Sequence, residues 1–143
     1  MTPGEPGPDG VTYSTEVDAL AADQLRGGYF EAWATPWSPE RHLAHLRGAE
    51  AVELAIEPAT GDVVGFVSAI GDGGNVAFIS LLEVLPAWRG RGIGSELVRR
   101  ILARLGDRYS IDLGCDESLV PYYERFGLTP GRSMVWRNRT PQV

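Results

Sequence analysis

Glycines alternate with other residues in the segment Arg89-Gly90-Arg91-Gly92-Ile93-Gly94, which is followed by Ser95 and a helical pattern. Alternate glycines remove the Cβ atoms from one wall of a turn, so backbone N–H groups can approach an anion closely. A helix that begins there adds free N–H groups and a partial positive charge. The two arginines add full charges and bidentate donors. The segment therefore predicts a site for a phosphate or a pyrophosphate.

Other interpretations of this glycine-rich segment fit less well. The P-loop of a nucleotide hydrolase requires G-x-x-x-x-G-K-[ST], and no lysine lies near the segment. A dinucleotide fingerprint, G-x-G-x-x-G/A, meets serine or leucine at its third place, although an acid, Asp112, follows about twenty residues on. A glycine-rich turn without a ligand would rarely combine three glycines with two arginines. The dinucleotide site and the ligand-free turn remain as alternatives.

Glu83 is the carboxylate that stands nearest to this segment on its N-terminal side. It lies between apolar Leu82 and Val84 in a strand pattern, so alternation directs its side chain to the opposite face. A carboxylate at this place could accept a proton through water or bind a cationic acceptor. It could equally be an exposed or salt-bridged strand residue.

The cysteine and the two histidines predict no metal site. Cys115 is the single cysteine, which excludes an internal disulfide and a four-cysteine zinc site; we interpret it as a small apolar residue near a strand end. His42 and His45 are three apart on one helix face, but no third ligand is in view.

Composition limits the class of protein. The chain has 143 residues, which fits one domain. Thirteen basic and nineteen acidic side chains give a net charge of −6, which argues against a nucleic-acid or acidic-membrane partner. No run approaches the roughly 18 apolar residues of a membrane span. Residues 1–10 hold three prolines, three glycines and two acids, without a signal-peptide pattern, and predict a disordered leader on a cytoplasmic protein.

Hydrophobic periodicity and turn signals place the elements around the glycine-rich segment. Helices are expected at 19–33 with Asp18 as N-cap, at 39–47 with Ser38 as N-cap and Gly48 as its end, at 93–105 and at 118–126. Strands are expected at 11–16, 51–57, 63–70, 76–84, 109–113 and 134–137. We predict 51–57 as half-buried and 76–84 as well buried. An antiparallel meander joined to a right-handed strand–helix–strand crossover predicts one α+β domain over 11–138, with 139–143 as a tail.

Two motifs resemble those of the GNAT N-acetyltransferases. Arg89, Gly92 and Gly94 fill the three defined places of that family's acyl-coenzyme A motif, [Q/R]-x-x-G-x-[G/A]. The segment Tyr122-Tyr123-Glu124-Arg125-Phe126-Gly127-Leu128 is similar to the family's F-Y-x-x-x-G-F segment, and the spacing of about thirty residues also fits. The resemblance implies an α/β/α fold with a mixed, mostly antiparallel sheet and a splayed parallel strand pair.

The resemblance also implies a division of roles between main chain and side chains. Backbone N–H groups at Leu82 to Val84 are expected to bind the arm of acetyl-CoA. Those of the loop are expected to bind its pyrophosphate; the loop residues are Arg89, Gly90, Arg91, Gly92, Ile93, Gly94 and Ser95. Tyr123 matches the general acid. Asp116 stands where many members carry an asparagine that touches the cofactor arm, so this position matches the cofactor contact but departs from the family pattern in residue type. Glu83 is our candidate for the general base.

The acceptor side is less defined by sequence. Tyr29, Trp33 and Trp37 cluster in the region that shapes acceptor pockets in the family, and they would suit an amine with an apolar body. The chain length leans towards a small-molecule acceptor. By analogy with the family alone, the strand at 134–137 could pair across a homodimer.

Three functions are compatible with these motifs. The first is transfer of an acetyl group from acetyl-CoA by direct attack of a primary amine. The second is a non-catalytic acyl-CoA sensor, and the third is a dinucleotide-linked oxidoreductase. The tyrosine at 123 and the carboxylate at 83 favour catalysis, because a sensor needs neither.

Overall fold

A single mixed sheet forms the centre of the structure, a computed structural model that describes residues 7–139. Its strand order is β1-β2-β3-β4-β5. The first four strands are antiparallel neighbours, and β5 runs parallel to β4. The strands are β1 (Thr12–Ser14), β2 (Ala51–Ile56), β3 (Val63–Gly71), β4 (Val76–Val84) and β5 (Ser110–Leu113). The predicted meander and the parallel crossover are confirmed.

Helices cover both faces of the sheet. The helix α2 (Ile93–Leu105) packs on one face, where a Cβ on Gly65 of β3 would lie 3.3 Å from the Ile93 and Leu97 side chains. The other face meets α1 (Pro39–Gly48), whose His42 ring lies 4.5 Å from the ring of Phe66 on β3. The short helix α3 (Val120–Glu124) follows β5. The three layers confirm the predicted α/β/α architecture.

Local signals correctly placed the two longer helices. Ser38 Oγ accepts from the Arg41 N–H at 3.1 Å, and Pro39 occupies the first turn of α1. The α2 bounds are those predicted, with its apolar stripe buried. The helix predicted at 118–126 is shorter, because a 3-10 turn (Glu117–Leu119) precedes α3.

The helix predicted at 19–33 is wrong. Two 3-10 turns, Val17–Ala19 and Ala22–Leu25, are followed by irregular chain. Gly28 has φ +94° and Phe30 φ +66°, and this left-handed backbone cannot continue a right-handed helix. At Gly27 a Cβ would lie 2.2 Å from a methyl group of Leu85, so the chain passes too close to Leu85 for a larger residue.

Three further expectations need correction. β2 is almost fully buried rather than half-buried, because helices cover both of its faces. The second half of β4 is only partly buried, because β5 reaches no further along it than Ile79. Residues 134–137 form no strand: Met134, Val135 and Trp136 are exposed, and they pair with no strand within 7–139. The proposed leader and tail lie largely outside the described residues.

Candidate active site

The sheet opens between β4 and β5, next to the glycine-rich segment. Their pairing begins at Val76 opposite Ser110 and ends at Ile79 opposite Leu113. Beyond it, residues 80–84 have no strand partner on that side among the described residues; we call them the open stretch of β4. The Leu85 N–H donates to Val64 O on β3 at 2.8 Å, so alternation turns the amides of Val84 and Leu82 to the open side. The structure thus has the splay that the resemblance implied.

The glycine-rich segment connects the open stretch to α2. Gly90 and Gly92 have φ +80° and +83°, a backbone region that glycine enters without steric cost. The first amide of this region to donate to a carbonyl is that of Glu96, which donates to Gly92 O at 3.0 Å. Within 7–139, the N–H groups of residues 90–95 have no hydrogen-bond acceptor. A loop with several free amides at a helix N-terminus fits an anion.

A pocket of about 230 Å³ lies in front of these amides. A Cβ on Gly94 would point at Tyr122 Oη, 3.6 Å away, and at Val84, 3.7 Å away, so a side chain there would fill part of it. The residues that line the pocket are Val84, Trp88, Arg89, Gly90, Gly92, Ile93, Gly94, Ser95 and Tyr122. Its donor set and its glycine wall fit the diphosphate of coenzyme A.

Both arginines of the segment keep their charge available. The Arg89 Nε–H donates to Val84 O at 3.0 Å, which holds the segment against the end of β4. The Arg91 guanidinium lies 4.5 Å from the centre of the Trp88 ring. Neither has a carboxylate within 4.0 Å in the described part of the chain. Exposed cations without acidic partners add to the positive field at the pocket.

The two tyrosines of α3 take different places. Tyr122 Oη lies 3.2 Å from Ser95 Oγ at the pocket wall, a contact between residues 27 apart that the local sequence pattern does not reveal. Tyr123 is half-buried beside it, with ring centres 5.0 Å apart. Burial, with smaller contributions from Tyr122 and Cys115, raises the pKa of Tyr123. The phenol therefore keeps its proton at neutral pH and can donate it.

Glu83 lies on the sheet face opposite α2, as alternation predicted. Its Oε1 accepts from the Phe30 N–H at 3.3 Å, and the left-handed backbone of Phe30 directs that amide. Burial raises the pKa of Glu83, while the Phe30 N–H and the charge of Arg89 oppose the shift. A partly desolvated carboxylate at the open stretch can bind a cation or exchange a proton.

Aromatic side chains from the chain before α1 cover the sheet on the side where Glu83 lies. Phe30 lies 4.7 Å from Trp33 and 5.1 Å from Trp37 between ring centres, and the Arg41 guanidinium lies 4.9 Å from the Trp37 ring. Trp33 is 42% exposed and Trp37 is partly exposed, so both border solvent. Tyr29 differs, because it is buried in the core and its hydroxyl donates to Val63 O at 2.8 Å.

The remaining predicted positions lie outside the pocket lining. Leu82 belongs to the open stretch, whereas Asp116 is exposed and its carbonyl accepts from the Leu119 N–H at 2.8 Å. No cluster of three or more potential metal ligands occurs in residues 7–139. Among the helices of the described chain, none has the length and apolar character needed to cross a bilayer.

Comparison with known proteins places these features in a family. The profile of the Acetyltransferase (GNAT) family matches residues 19–128. A proposed acetyltransferase from Deinococcus radiodurans R1 superposes with a TM-score of 0.84 and 42% identity, over 93% of this chain and 92% of that one. A GNAT family protein from Streptococcus pneumoniae TIGR4 superposes with a TM-score of 0.71 and 25% identity, over 91% and 99%.

Curated enzymes match over shorter segments. Serotonin N-acetyltransferase of Macaca mulatta is 41% identical over 58 residues, which are 38% of this chain and 28% of that enzyme. GCN5-related N-acetyltransferase 3 of Arabidopsis thaliana, a chloroplastic protein, is 37% identical over 81 residues, 55% and 34% of the two chains. The chain thus spans about a third of the length of these relatives. The extent of the family match, together with the glycine-rich segment and the open stretch of β4, shows that the chain belongs to the GNAT acetyltransferase family, which supports acyl transfer as its chemistry.

Proposed function

We propose that the protein is an N-acetyltransferase that moves the acetyl group of acetyl-CoA to a primary amine of a small molecule. The observation that carries the proposal is the row of free amides at residues 90–95, which face a pocket at the N-terminus of α2 beside the open stretch. Main-chain donors at a helix N-terminus suit a diphosphate. Unpaired strand amides suit an amide-containing arm next to it.

The donor side uses mainly backbone groups. The amides of residues 90–95 would hold the diphosphate, with Arg91 adding charge, and the amides of Leu82 and Val84 would hold the arm. Acetyl-CoA supplies a thioester carbonyl that an amine can attack directly. The half-buried phenol of Tyr123 would give a proton to the departing sulfur.

The acceptor side uses side chains. The Glu83 carboxylate would attract the acceptor as an ammonium ion, in agreement with the net charge of −6. Trp33 and Trp37 offer partly exposed ring faces on the same side of the sheet, which suit an amine with an aromatic body. The similarity to serotonin N-acetyltransferases, which act on such an amine, supports this choice.

We also propose that the exposed apolar segment Met134-Val135-Trp136 lies in a homodimer interface. Large apolar side chains that are 99%, 63% and 86% exposed gain by burial against a second copy. Light scattering should show a dimer that Trp136→Ser weakens; a wild-type monomer at high concentration would contradict it.

Release of free thiol from acetyl-CoA, measured over a panel of amines, tests the function. The panel should contain aromatic ethylamines, aliphatic amines, polyamines and aminoglycosides. We expect amine-dependent release with the highest kcat/KM for aromatic ethylamines. Tight binding of coenzyme A without release for any amine would instead support the sensor. Stabilisation by nicotinamide cofactors and not by acetyl-CoA would support the oxidoreductase.

A further inference from the structure

We propose that Ser80, Ser68 and His45 form a relay that removes the proton from the acceptor amine, with His45 as its terminal base. The inference rests on the proposed N-acetyltransferase function and adds to it the route of the proton. The relay lies on the side of the sheet where Glu83, Trp33 and Trp37 are found. Its three residues come from β4, β3 and α1.

The side chains form a continuous chain of hydrogen bonds. Ser80 Oγ lies 3.0 Å from Ser68 Oγ, and Ser68 Oγ lies 3.1 Å from His45 Nε2. Ser68 is fully buried, whereas Ser80 and His45 are partly exposed. The chain thus has a buried middle and two accessible ends, as proton transfer between two solvated groups requires.

The position of Ser80 connects this chain to the reacting groups. Ile79 is the last residue of β4 that pairs with β5, and Ser80 follows it directly. The register between β3 and β4 shifts between Ser68 and Ala69, which pair with Leu81 and Ile79, so Ser80 is the extra residue of a β-bulge. The bulge places the Ser80 hydroxyl at the point where β4 and β5 begin to separate.

The direction of the hydrogen bonds decides whether the chain can accept a proton. With Nε2 of neutral His45 unprotonated, Ser68 donates to it. Ser80 then shares its one hydrogen between Ser68 Oγ at 3.0 Å and Ser68 O at 3.3 Å, and a lone pair of Ser80 remains for an incoming ammonium. The ammonium N–H bond then breaks as each hydroxyl passes on one proton. The amine becomes neutral, His45 becomes an imidazolium, and both serines regain their protons. The imidazolium releases the proton to solvent at its exposed edge.

The surroundings of His45 favour the neutral form in the resting protein. Burial lowers its pKa. Its neighbours are His42 on its own helix, the Trp37 ring at 5.1 Å between ring centres, and the neutral Ser68 of β3. His42 cannot serve instead, because its ring is buried among Tyr29, Phe30 and Phe66 and neither nitrogen has a partner in the described chain.

The tautomer of His45 tests the relay without any turnover. Long-range ¹H–¹⁵N spectra of the full-length protein, with a His45→Gln sample to assign the ring, distinguish the two nitrogens. We expect a neutral ring protonated at Nδ1, with Nε2 free to accept. A ring protonated at Nε2 would donate to Ser68 and would overturn the proposal.

Kinetics distinguish the relay from a merely structural contact. In His45→Gln an amide oxygen can still accept from Ser68 but cannot take up a proton. We expect kcat to fall at least tenfold, amine KM to change less than threefold, and the acid limb of the kcat/KM profile to disappear. Ser80→Ala should lower kcat similarly, whereas Ser68→Thr, which keeps the hydroxyl, should retain most of it. Ser110→Ala on β5, whose hydroxyl donates to Asp112, is the matched control.

The outcomes separate the two proposals. An unchanged kcat and acid limb in both His45→Gln and Ser80→Ala would overturn the relay and leave the acetyltransferase function intact. A wild-type protein without turnover on any amine would contradict the function and, because the relay serves that reaction, the relay with it. If His45→Gln unfolds, the partly exposed Ser80→Ala provides the kinetic answer.

Discussion

The two sides of the open stretch of β4 are built in opposite ways. The donor side is contiguous in sequence, from Val84 to Ser95, and offers mainly backbone N–H groups at an exposed loop. The acceptor side collects side chains from the irregular chain after residue 25, from α1 and from two strands. Backbone donors bind a constant group whatever the neighbouring side chains are, whereas a side-chain surface can change with the acceptor. The comparison explains how one fold can keep its donor and vary its acceptor.

The largest expected effect concerns how tightly the acceptor side is packed. Burial and the neighbouring His45 lower the pKa of His42 to about 4, below its ordinary 6.5. The unfolded chain therefore binds more protons between pH 6.5 and 4, so stability is full above this range and falls as the pH decreases through it. Urea unfolding should show a loss of about 3 kcal/mol from this residue. His42→Leu is the control. An equal pH dependence of the free energy of unfolding in both proteins would contradict the burial of His42 away from water.

The second prediction concerns Tyr123 as the proton donor. Tyr123→Phe should lower kcat at least tenfold, because general acids contribute roughly 10²–10⁴-fold, and it should leave the affinity for coenzyme A unchanged. Tyr122→Phe is the matched variant: it removes the contact with Ser95 at the pocket wall, so it should weaken coenzyme A binding a few-fold. Unchanged turnover in Tyr123→Phe would remove Tyr123 from the mechanism.

The third prediction separates attraction of the acceptor from removal of its proton. Glu83→Gln should raise the amine KM about tenfold, because the variant loses the attraction between the carboxylate and the ammonium group of the acceptor. A tenfold change corresponds to about 1.4 kcal/mol of binding free energy. The acid limb should remain if His45 is the base. A flattened limb in Glu83→Gln would instead make Glu83 the general base, and pH profiles of the two variants side by side decide between them.

The fourth and smallest effect is expected from a glycine in the donor loop, compared with a glycine of the same backbone conformation in a distant turn. Gly92 and Gly73 have φ +83° and +84°, and a Cβ at either would meet nothing within 4 Å. Alanine at each should cost about 1–2 kcal/mol of stability. Calorimetry should show a five- to tenfold rise in the coenzyme A Kd for Gly92→Ala alone. Equal affinities in the two variants would show that the loop amides do not bind the donor.

The difference between a donor side that is contiguous in sequence and an acceptor side that is not also determines how much of the structure could be predicted from the sequence. The β4–loop–α2 unit follows from local signals: an apolar strand, Pro86, alternate glycines and a helical stripe that begins at Ile93. These signals lie within about thirty residues and do not depend on distant contacts. The fold class and the donor pocket were therefore predictable.

The acceptor side depends on contacts between distant residues, which local patterns do not reveal. His45 is 23 residues from Ser68, and only the β-bulge brings Ser80 to them. The helix predicted at 19–33 failed for the same reason, since Gly27 packs against Leu85 and Phe30 turns to Glu83. The contact between Tyr122 and Ser95 could not be predicted either, because the two residues lie 27 positions apart.

Chemical-shift mapping with coenzyme A tests the division between the two sides most directly. In the ¹⁵N-labelled protein, we expect large amide shifts at residues 90–95 and at Leu82 and Val84, while the indole N–H signals of Trp33 and Trp37 stay in place. Shifts centred on the two indoles, or none at residues 90–95, would contradict it.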